Sequence, residues 1–244
     1  MAATPKISYL LPVYNEEQAI ADTARAVTEH LASLWGGEVL LLENGSTDRS
    51  PAIVDALAGE LTRPGVNVVA VHVAKGFGNA IRRGLEVATG DLVVVTAADL
   101  PFGFSDLDGI LACEPLPALA IGSKAHARSR VTVTAKRRVM SRAYRLARRL
   151  LIGLKVGDSQ GSLFLEGGLA RSVAPHLSAS DFFLSTEIVA VASRLGAQPV
   201  EVPVDYQTPR PGSTVRPLHD GTAMLLALFG LRRRLGRLPA GGWA

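Results

Sequence analysis

Residues 7–17 have the sequence ISYLLPVYNEE, in which seven mostly apolar residues precede the polar turn YNEE. A short apolar run that ends at turn residues is typical of a buried strand. Residues 19–34 then follow a helical pattern, and the side chain of Asn15 and the charges of Glu16 and Glu17 suit a helix N-terminus. The stretch therefore predicts a strand, a turn and a helix, which is how a βαβ unit begins.

The same alternation continues over the first hundred residues. It predicts strands at 38–42, 66–73 and 91–96 and helices at 50–61 and 79–88. Short apolar runs that alternate with helices indicate a parallel sheet. The chain is therefore predicted to be an α/β protein with a mostly parallel, Rossmann-like sheet and helices on both faces.

The pattern becomes less regular after Leu100-Pro101. It contains a short apolar run at 119–122 and predicts a helix at 135–151, a strand at 162–165, a helix at 186–195, a strand at 199–204 and a last helix at about 220–238. The last helix is apolar in its first half and basic in its second half, as in helices that lie in a membrane interface. We therefore expect one domain, residues 1–215, followed by an amphipathic and basic helical segment, residues 216–244.

The composition limits the class of protein. The chain has 244 residues, 48% of them hydrophobic and 20% charged, which is enough to bury a substantial core. No apolar run approaches the 18 or so residues that a membrane-spanning helix requires. The N-terminus lacks the pattern of a secretory signal, and the single cysteine, Cys113, excludes an internal disulfide framework. A cytoplasmic protein is expected, with peripheral contact at the inner face of the membrane left open.

The positive charge of the chain is concentrated in one region. The net charge of the whole chain is only +4, but residues 115–157 contain basic residues and no Asp or Glu. Within the predicted helix 135–151 four arginines form a stripe, and four apolar residues occupy another side. The stripe is Arg138, Arg142, Arg145 and Arg149, and the apolar side is Val139, Ala143, Leu146 and Leu150. A local basic face of this kind predicts an anionic partner, such as a phosphate group or an anionic membrane surface.

Polar residues follow the predicted strands at four places, residues 11–17, 42–48, 74–80 and 97–100. In open α/β sheets ligands bind beyond the carboxyl ends of the strands, near the point where the strand order reverses. Backbone amides and carboxylates at such ends can bind a base, a ribose and a phosphate. The pattern predicts a nucleotide pocket at this edge of the sheet.

At these residues the sequence resembles the family 2 glycosyltransferases of the GT-A fold, and among them the polyprenyl-phosphate mannose and glucose synthases. The resemblance extends over roughly residues 6–208. The matching motifs are PVYNEE at 12–17, ENGSTDRS at 43–50, KGFGNAIRRG at 75–84, GSK at 122–124, DSQG at 158–161, Glu187 before a helix, and VPV at 202–204.

The resemblance implies functional residues at the matching positions. Those implied to bind the nucleotide are Pro12, Tyr14, Glu16, Glu43, Asn44, Ser46, Lys75, Gly76 and Ala98, with Glu43 taking the family's acidic place against the base or ribose. Those implied to take part in catalysis are Asp99, Lys124, Gln160 and Glu187. Asp99 is also the implied metal ligand.

The sequence departs from the family pattern at the fourth strand end. The family usually has D-x-D there, and this chain has Ala97 in the first position; Pro101 stands where the mannose synthases often have Gln. A hard cation such as Mg²⁺ often binds through one or two carboxylates together with substrate phosphates and water. The expectation is a divalent cation, Mg²⁺ or Mn²⁺, held by Asp99 and the donor diphosphate.

The function implied is transfer of a hexose from a UDP- or GDP-linked sugar to a polyprenyl phosphate, with inversion at the anomeric carbon. Two alternatives stay open: transfer to a hydroxyl group of a soluble acceptor, and a glycosyltransferase-like binding subunit without activity, for which Ala97 and Asn44 are the reason. Contact with a membrane surface and a homo-oligomer are compatible with the sequence. Nucleic acid is not expected as a partner, because only Tyr144 lies among the arginines.

Two other nucleotide-binding classes fit less well. A dinucleotide-binding domain would have a third glycine where this chain has Ile81, and its glycine-rich turn would follow the first strand. A nucleotidyltransferase would have a glycine-rich basic loop after the first strand, where this chain has residues 12–17. The four histidines considered, His72, His126, His176 and His219, have no common metal-ligand spacing.

Overall fold

The structure is a computed structural model that describes residues 5–131, 135–205 and 217–242. Its strands are β1 (Ile7–Val13), β2 (Gly37–Glu43), β3 (Val66–His72), β4 (Leu92–Val95), β5 (Leu119–Ser123), β6 (Ser162–Glu166) and β7 (Pro199–Pro203). Its α-helices are α1 (Ile20–Ser33), α2 (Ser50–Leu61), α3 (Phe77–Val87), α4 (Ser105–Leu111), α5 (Ala135–Ile152), α6 (Gly167–Val173), α7 (Phe183–Arg194) and α8 (Pro217–Leu235).

The strands form one sheet in the order β3-β2-β1-β4-β6-β5-β7. Strand β6 is antiparallel to both of its neighbours, and the other neighbouring pairs are parallel. The amino end of β6 therefore lies at the same edge as the carboxyl ends of the other strands. The strand order reverses between β1 and β4, which places the expected ligand-binding crevice at that junction.

The sheet is buried on both faces, as the apolar strands predict. On one face Tyr9 and Leu11 of β1 pack with α1, α2 and α4. On the other face Leu10 packs with α3, α6 and α7. All seven residues of β1 are buried, because alternate side chains enter opposite cores. These contacts hold the carboxyl ends of the strands in fixed positions.

The predicted fold class is confirmed. The predicted strands and helices of residues 7–96 are all present, and their bounds differ from the prediction by two residues or fewer. Helices α4 and α6 were not predicted, since each has only seven residues and so contains too few turns to show a helical period. The predicted boundary at residues 215–216 lies outside the described part of the chain.

Helix α5 has the predicted position, but its apolar side is not part of the core. Val139, Leu146 and Leu150 are exposed. Arg148, on another side of the helix, is 2% exposed. Among the described residues, none of the helices has both the length and the apolar character needed to cross a bilayer.

Candidate functional site

The loops after β1 and β2 are joined by hydrogen bonds. Asn15, which has a φ of 53°, accepts a hydrogen bond from the Thr47 amide at 2.8 Å and its own amide donates to the Ser46 hydroxyl at 3.0 Å. The Glu16 amide donates to the Ser50 hydroxyl at 2.8 Å. The predicted residues Glu16 and Ser46 are thus brought together, one on each loop.

Asn44 joins three strand ends through its side-chain amide. Its Nδ2 donates to the Val13 carbonyl at 2.7 Å, and its Oδ1 accepts from the Gly76 amide at 3.3 Å. An aspartate in this position would lack the donor that reaches Val13. Gly76 has a φ of 135°, and a Cβ there would lie 2.7 Å from the Ser180 carbonyl oxygen, so only glycine fits.

Glu43 is 4% exposed at the end of β2. Burial raises the pKa of its carboxyl, but hydrogen bonds from Ser46, Gly45 and His72 outweigh burial and lower the pKa below 4.5. The Ser46 amide donates to Oε1 at 2.6 Å, and His72 Nδ1 lies 3.4 Å from Oε2. The side chain is therefore a fixed anion at the predicted base and ribose position.

The outer part of this crevice carries Tyr14 and Lys75. Tyr14 is 37% exposed, and the Nζ atom of the exposed Lys75 lies 4.7 Å from the centre of its ring. Pro12 is buried near the carboxyl end of β1. An aromatic face beside a cation suits a planar base and a phosphate.

Asp99 follows β4, across the strand-order reversal from β1. It is exposed, while Ala98 is buried and its carbonyl accepts a hydrogen bond from the Thr23 hydroxyl at 2.9 Å. The described residues contain no group of three or more His, Cys, Asp or Glu side chains placed to hold a metal ion. A cation at Asp99 would therefore take most of its ligands from substrate phosphates and water.

Lys124 and Gln160 are brought together, because β5 ends where β6 begins. Lys124 Nζ lies 3.6 Å from Asp158 Oδ2 and donates to the Gln160 carbonyl at 3.3 Å. Glu201 Oε1 accepts from the Asp158 amide at 3.0 Å. The loop that carries Lys124 is thus tied to the loop before β6.

A basic pocket of about 470 Å³ opens beside Lys124. The basic residues that line it are Lys124, Arg138, Arg142, Arg145 and Arg148. Three of the four predicted stripe arginines thus contribute, whereas Arg149 lines a separate depression between α5 and α8. Most of the lining residues belong to residues 115–157, which contain no carboxylates. Among the described lining residues, Asp158 is the only acidic one.

Arg148 was not singled out by sequence reasoning. Its Nη2 donates to the Val156 and Gly157 carbonyls, each at 3.3 Å, and its guanidinium carbon lies 5.2 Å from the centre of the Tyr144 ring. Its Nε and Nη1 are buried, with no hydrogen-bond partner in the described structure. Burial lowers the pKa of its guanidinium group. Unpaired donors on a buried cation favour an anionic ligand.

Glu187 lies within α7 and not before a helix, and its described side-chain partners are Ser178, Ala179 and Arg234 and not the other predicted catalytic residues. It is 0% exposed and accepts hydrogen bonds from the Ser178 and Ala179 amides at 3.0 and 2.8 Å. It also forms an ion pair with Arg234 of α8. The loop it holds contacts the start of α3, since the Gly78 amide donates to the Ser180 carbonyl at 2.9 Å. These contacts suit a positioning residue.

Replacing Glu187 should strongly affect stability. We expect Glu187→Ala to lower the free energy of unfolding by about 2–4 kcal/mol, because two amides and the Arg234 guanidinium lose their acceptor. Urea unfolding of the variant measures this. Glu187→Gln, which keeps an acceptor oxygen, should lose less. Equal stability of Glu187→Ala and the unchanged protein would contradict this assignment.

The histidine beside Glu43 should make stability depend on pH. The hydrogen bond to Asp55 is the largest cause that raises the pKa of His72 above 6.5, and Glu43 adds to the shift. The protonated form is favoured in the folded chain, so its stabilisation is complete below about 6.5 and is lost as the pH rises through the folded pKa. We expect this pH-dependent part of the melting temperature to disappear in His72→Asn. An unchanged pH dependence in the variant would contradict the prediction.

Comparisons with known proteins agree with this arrangement. The sequence profile of glycosyl transferase family 2 matches residues 8–160. The glycosyltransferase AglD of Haloferax volcanii is 30% identical over 214 residues, which are 84% of this chain and 34% of that protein. An undecaprenyl-phosphate 4-deoxy-4-formamido-L-arabinose transferase of Enterobacter sp. is 38% identical over 101 residues, 40% of this chain and 30% of the relative. The chain thus spans about a third of the length of these curated relatives.

A solved structure with the same fold is glucosyl-3-phosphoglycerate synthase of Mycobacterium tuberculosis in complex with Mn²⁺, uridine diphosphate and glucosyl-3-phosphoglycerate. It has a TM-score of 0.62 and 24% identity, and the match covers 95% of this chain and 80% of that chain. The same synthase has also been solved with Mg²⁺ and uridine diphosphate, with a TM-score of 0.62.

Proposed function

This chain belongs to glycosyl transferase family 2, and from that premise we propose that it transfers a hexose from a nucleotide sugar to the phosphate group of a polyprenyl phosphate. The observation that carries the proposal is the basic pocket, with the buried and partly unpaired Arg148 in its wall. Residues 1–215 would form the catalytic unit, and residues 216–244 a helical segment packed on it.

The donor would bind in the crevice at the carboxyl ends of β1, β2 and β3. Tyr14 and Lys75 present a ring and a cation at its mouth, and Glu43 provides a fixed carboxylate beneath. Asn44 sets the spacing of the three loops. The relatives' structures with uridine diphosphate support a uridine nucleotide, and a guanosine nucleotide is the other candidate.

A divalent cation would be held at the end of β4 by Asp99 together with the diphosphate of the sugar donor. Asp99 supplies one carboxylate, and the side chain of Ala97 supplies no ligand atom. A bound Mg²⁺ or Mn²⁺ would neutralise charge on the leaving diphosphate. Lys75 would contribute further positive charge from the chain itself.

The acceptor phosphate would lie in the basic pocket. Arginine forks match phosphate oxygens, and a phosphate there would give the unpaired nitrogen atoms of Arg148 an acceptor. A phosphate is already an anion near neutral pH, so the reaction needs no general base. Lys124, tied to Asp158 and Gln160, would orient it.

The proposed reaction forms one bond and breaks one bond at the anomeric carbon of the donor sugar. A phosphate oxygen of the acceptor attacks the anomeric carbon of the donor sugar and forms the new carbon–oxygen bond. The bond from that carbon to the donor's diphosphate oxygen breaks, and the electron pair leaves with the nucleoside diphosphate. Attack opposite the leaving group inverts the anomeric centre. Positive groups placed around both phosphates favour this transition state.

A thermal-shift panel tests the donor half of the proposal. UDP-, GDP- and dTDP-sugars are compared with and without Mn²⁺; a ligand at about 100 times its dissociation constant stabilises the folded chain by about 2.7 kcal/mol. We expect a shift with one nucleotide that is larger with Mn²⁺. The absence of a shift with any nucleotide would instead favour a binding subunit without activity.

A soluble phosphorylated acceptor is the second candidate. It is favoured by the fold relative solved with phosphoglyceric acid, which has 23% identity and a TM-score of 0.62. An acceptor assay distinguishes the two candidates. The chain is incubated with labelled donor and either a short-chain polyprenyl phosphate or phosphoglyceric acid. Labelled lipid supports the first candidate, and label in the soluble acceptor supports the second.

A further inference from the structure

The outer faces of α5 and α8 carry large apolar side chains that are exposed in the described chain. On α5, Val139, Leu146 and Leu150 are 64%, 57% and 70% exposed, and on α8, Leu226 and Phe229 are 72% and 52% exposed. Side chains of this size are usually buried in a core or against a partner. An apolar face on two helices therefore indicates something that covers it.

The exposed residues form one stripe along each helix. On α5 the exposed residues lie at 138, 139, 141, 142, 143, 146, 149 and 150, and all but Ser141 are on one face; on α8 they lie at 225, 226, 229, 232 and 233. Steps of three and four residues keep side chains on one face of an α-helix. Each stripe combines large apolar residues with arginines, namely Arg138, Arg142 and Arg149 on α5 and Arg232 and Arg233 on α8.

The two stripes belong to neighbouring helices. Leu228 and Leu231 of α8 are buried in a cluster that includes Tyr144, Ala147 and Leu151 of α5. The inner faces of the helices thus pack together, and Arg149 and Leu150 of α5 line one depression with Arg232 of α8, so the two stripes meet on this side of the helix pair. We name the exposed residues of both stripes the α5–α8 surface.

The charges of the α5–α8 surface have one sign. Residues 115–157 and 221–244 contain no Asp or Glu. A solvated helix face would mix both signs, and a second copy of this chain would set arginines against arginines. Apolar side chains mixed with cations are complementary to a bilayer with anionic head groups, which attracts the arginines while the apolar side chains enter the interface.

We propose that the α5–α8 surface docks on a bilayer that contains anionic phospholipid. The exposure and charge of the α5–α8 surface do not depend on the proposed function, and only the reason for docking rests on it. Arg142 belongs both to the stripe of α5 and to the wall of the basic pocket. A docked chain would therefore hold the pocket beside the membrane, where a lipid phosphate is presented.

Vesicle co-sedimentation of the full chain tests the proposal without nucleotide or acceptor. Phosphatidylcholine vesicles with about 30% phosphatidylglycerol are compared with pure phosphatidylcholine. The apolar variant is Leu146→Asn, Leu226→Asn and Phe229→Asn. The charge variant is Arg149→Gln and Arg233→Gln. The matched control changes exposed apolar residues near the amino ends of β2 and β5, Trp35→Asn and Leu116→Asn, and circular dichroism checks that each variant is folded.

We expect the unchanged chain and the control to bind the anionic vesicles and to be released by salt. The apolar variant should bind at least about tenfold more weakly than the unchanged chain, because binding scales with the apolar area inserted. The charge variant should lose about fivefold for each arginine. No binding at low salt, or equal binding by the apolar variant and the control, would overturn the proposal. The proposal would also be overturned if the unchanged chain self-associates and does not bind vesicles, and if the apolar variant does not self-associate. That result would assign the surface to a second copy of the chain.

Vesicle binding is separate from sugar transfer. If the unchanged chain does not bind the vesicles but transfers sugar to a short-chain, water-soluble acceptor, the docking proposal is wrong and the proposed function stands. Binding retained with no transfer means the opposite.

Discussion

Replacing Asp99 with asparagine should lower the rate of sugar transfer by about a hundredfold to a thousandfold, which is the effect of removing one group that stabilises transition-state charge. The reason is specific to this chain: Ala97 leaves Asp99 as the carboxylate at the end of β4. Steady-state kinetics with Mn²⁺ in excess measure the change in kcat. Asp22→Asn is the matched control, because Asp22 is 82% exposed on α1.

A gain-of-function variant makes the same test sharper. Ala97→Asp restores a second carboxylate at an exposed position, and we expect it to lower the Mn²⁺ concentration needed for half-maximal activity. If Asp99→Asn is as active as the control, and activity persists in excess chelator, a cation at Asp99 has no part in the reaction.

The second large effect is expected at Lys124. We expect Lys124→Met to lower kcat/KM for the acceptor by about tenfold to a hundredfold, because a hydrogen bond to a charged group contributes about 1.5–3 kcal/mol. The ammonium group lines the basic pocket and lies 3.6 Å from Asp158 Oδ2. Initial rates at varied acceptor concentration measure the change.

The control for Lys124 is Lys155→Met, in the same basic stretch but exposed and outside the residues that line the basic pocket. Lys124→Arg should recover part of the loss, because the positive charge is kept. A loss confined to the KM for the donor would contradict the assignment of Lys124 to the acceptor.

The first four strands were predictable because each is a short apolar run bounded by turn residues, and the motifs at their carboxyl ends placed the crevice. The direction of β6 was not predictable. It depends on pairing with β4 and β5, and nothing local in residues 162–165 encodes it. That reversal brings Gln160 to Lys124, so this part of the site follows from tertiary structure.

Individual side-chain roles were harder to predict than their positions. Asn44 is predicted to bind the nucleotide, and the structure adds that its amide holds Val13 and Gly76, which only the paired loops reveal. The sequence gives no sign that Arg148 is buried, because charged residues are rarely buried without a partner. The exposed apolar side of α5 was equally hidden, because a helical period identifies a face without showing what covers it.

The most direct test of the proposed reaction is transfer of a labelled hexose to lipid. The full chain is incubated with Mn²⁺, a polyprenyl phosphate and a UDP- or GDP-hexose labelled in the sugar, and organic extraction separates the lipid product. We predict labelled lipid with one of the two donors, and its loss in Asp99→Asn and in Lys124→Met. Unlabelled lipid with both donors, from a chain that the same nucleotides stabilise against heat, would contradict the account.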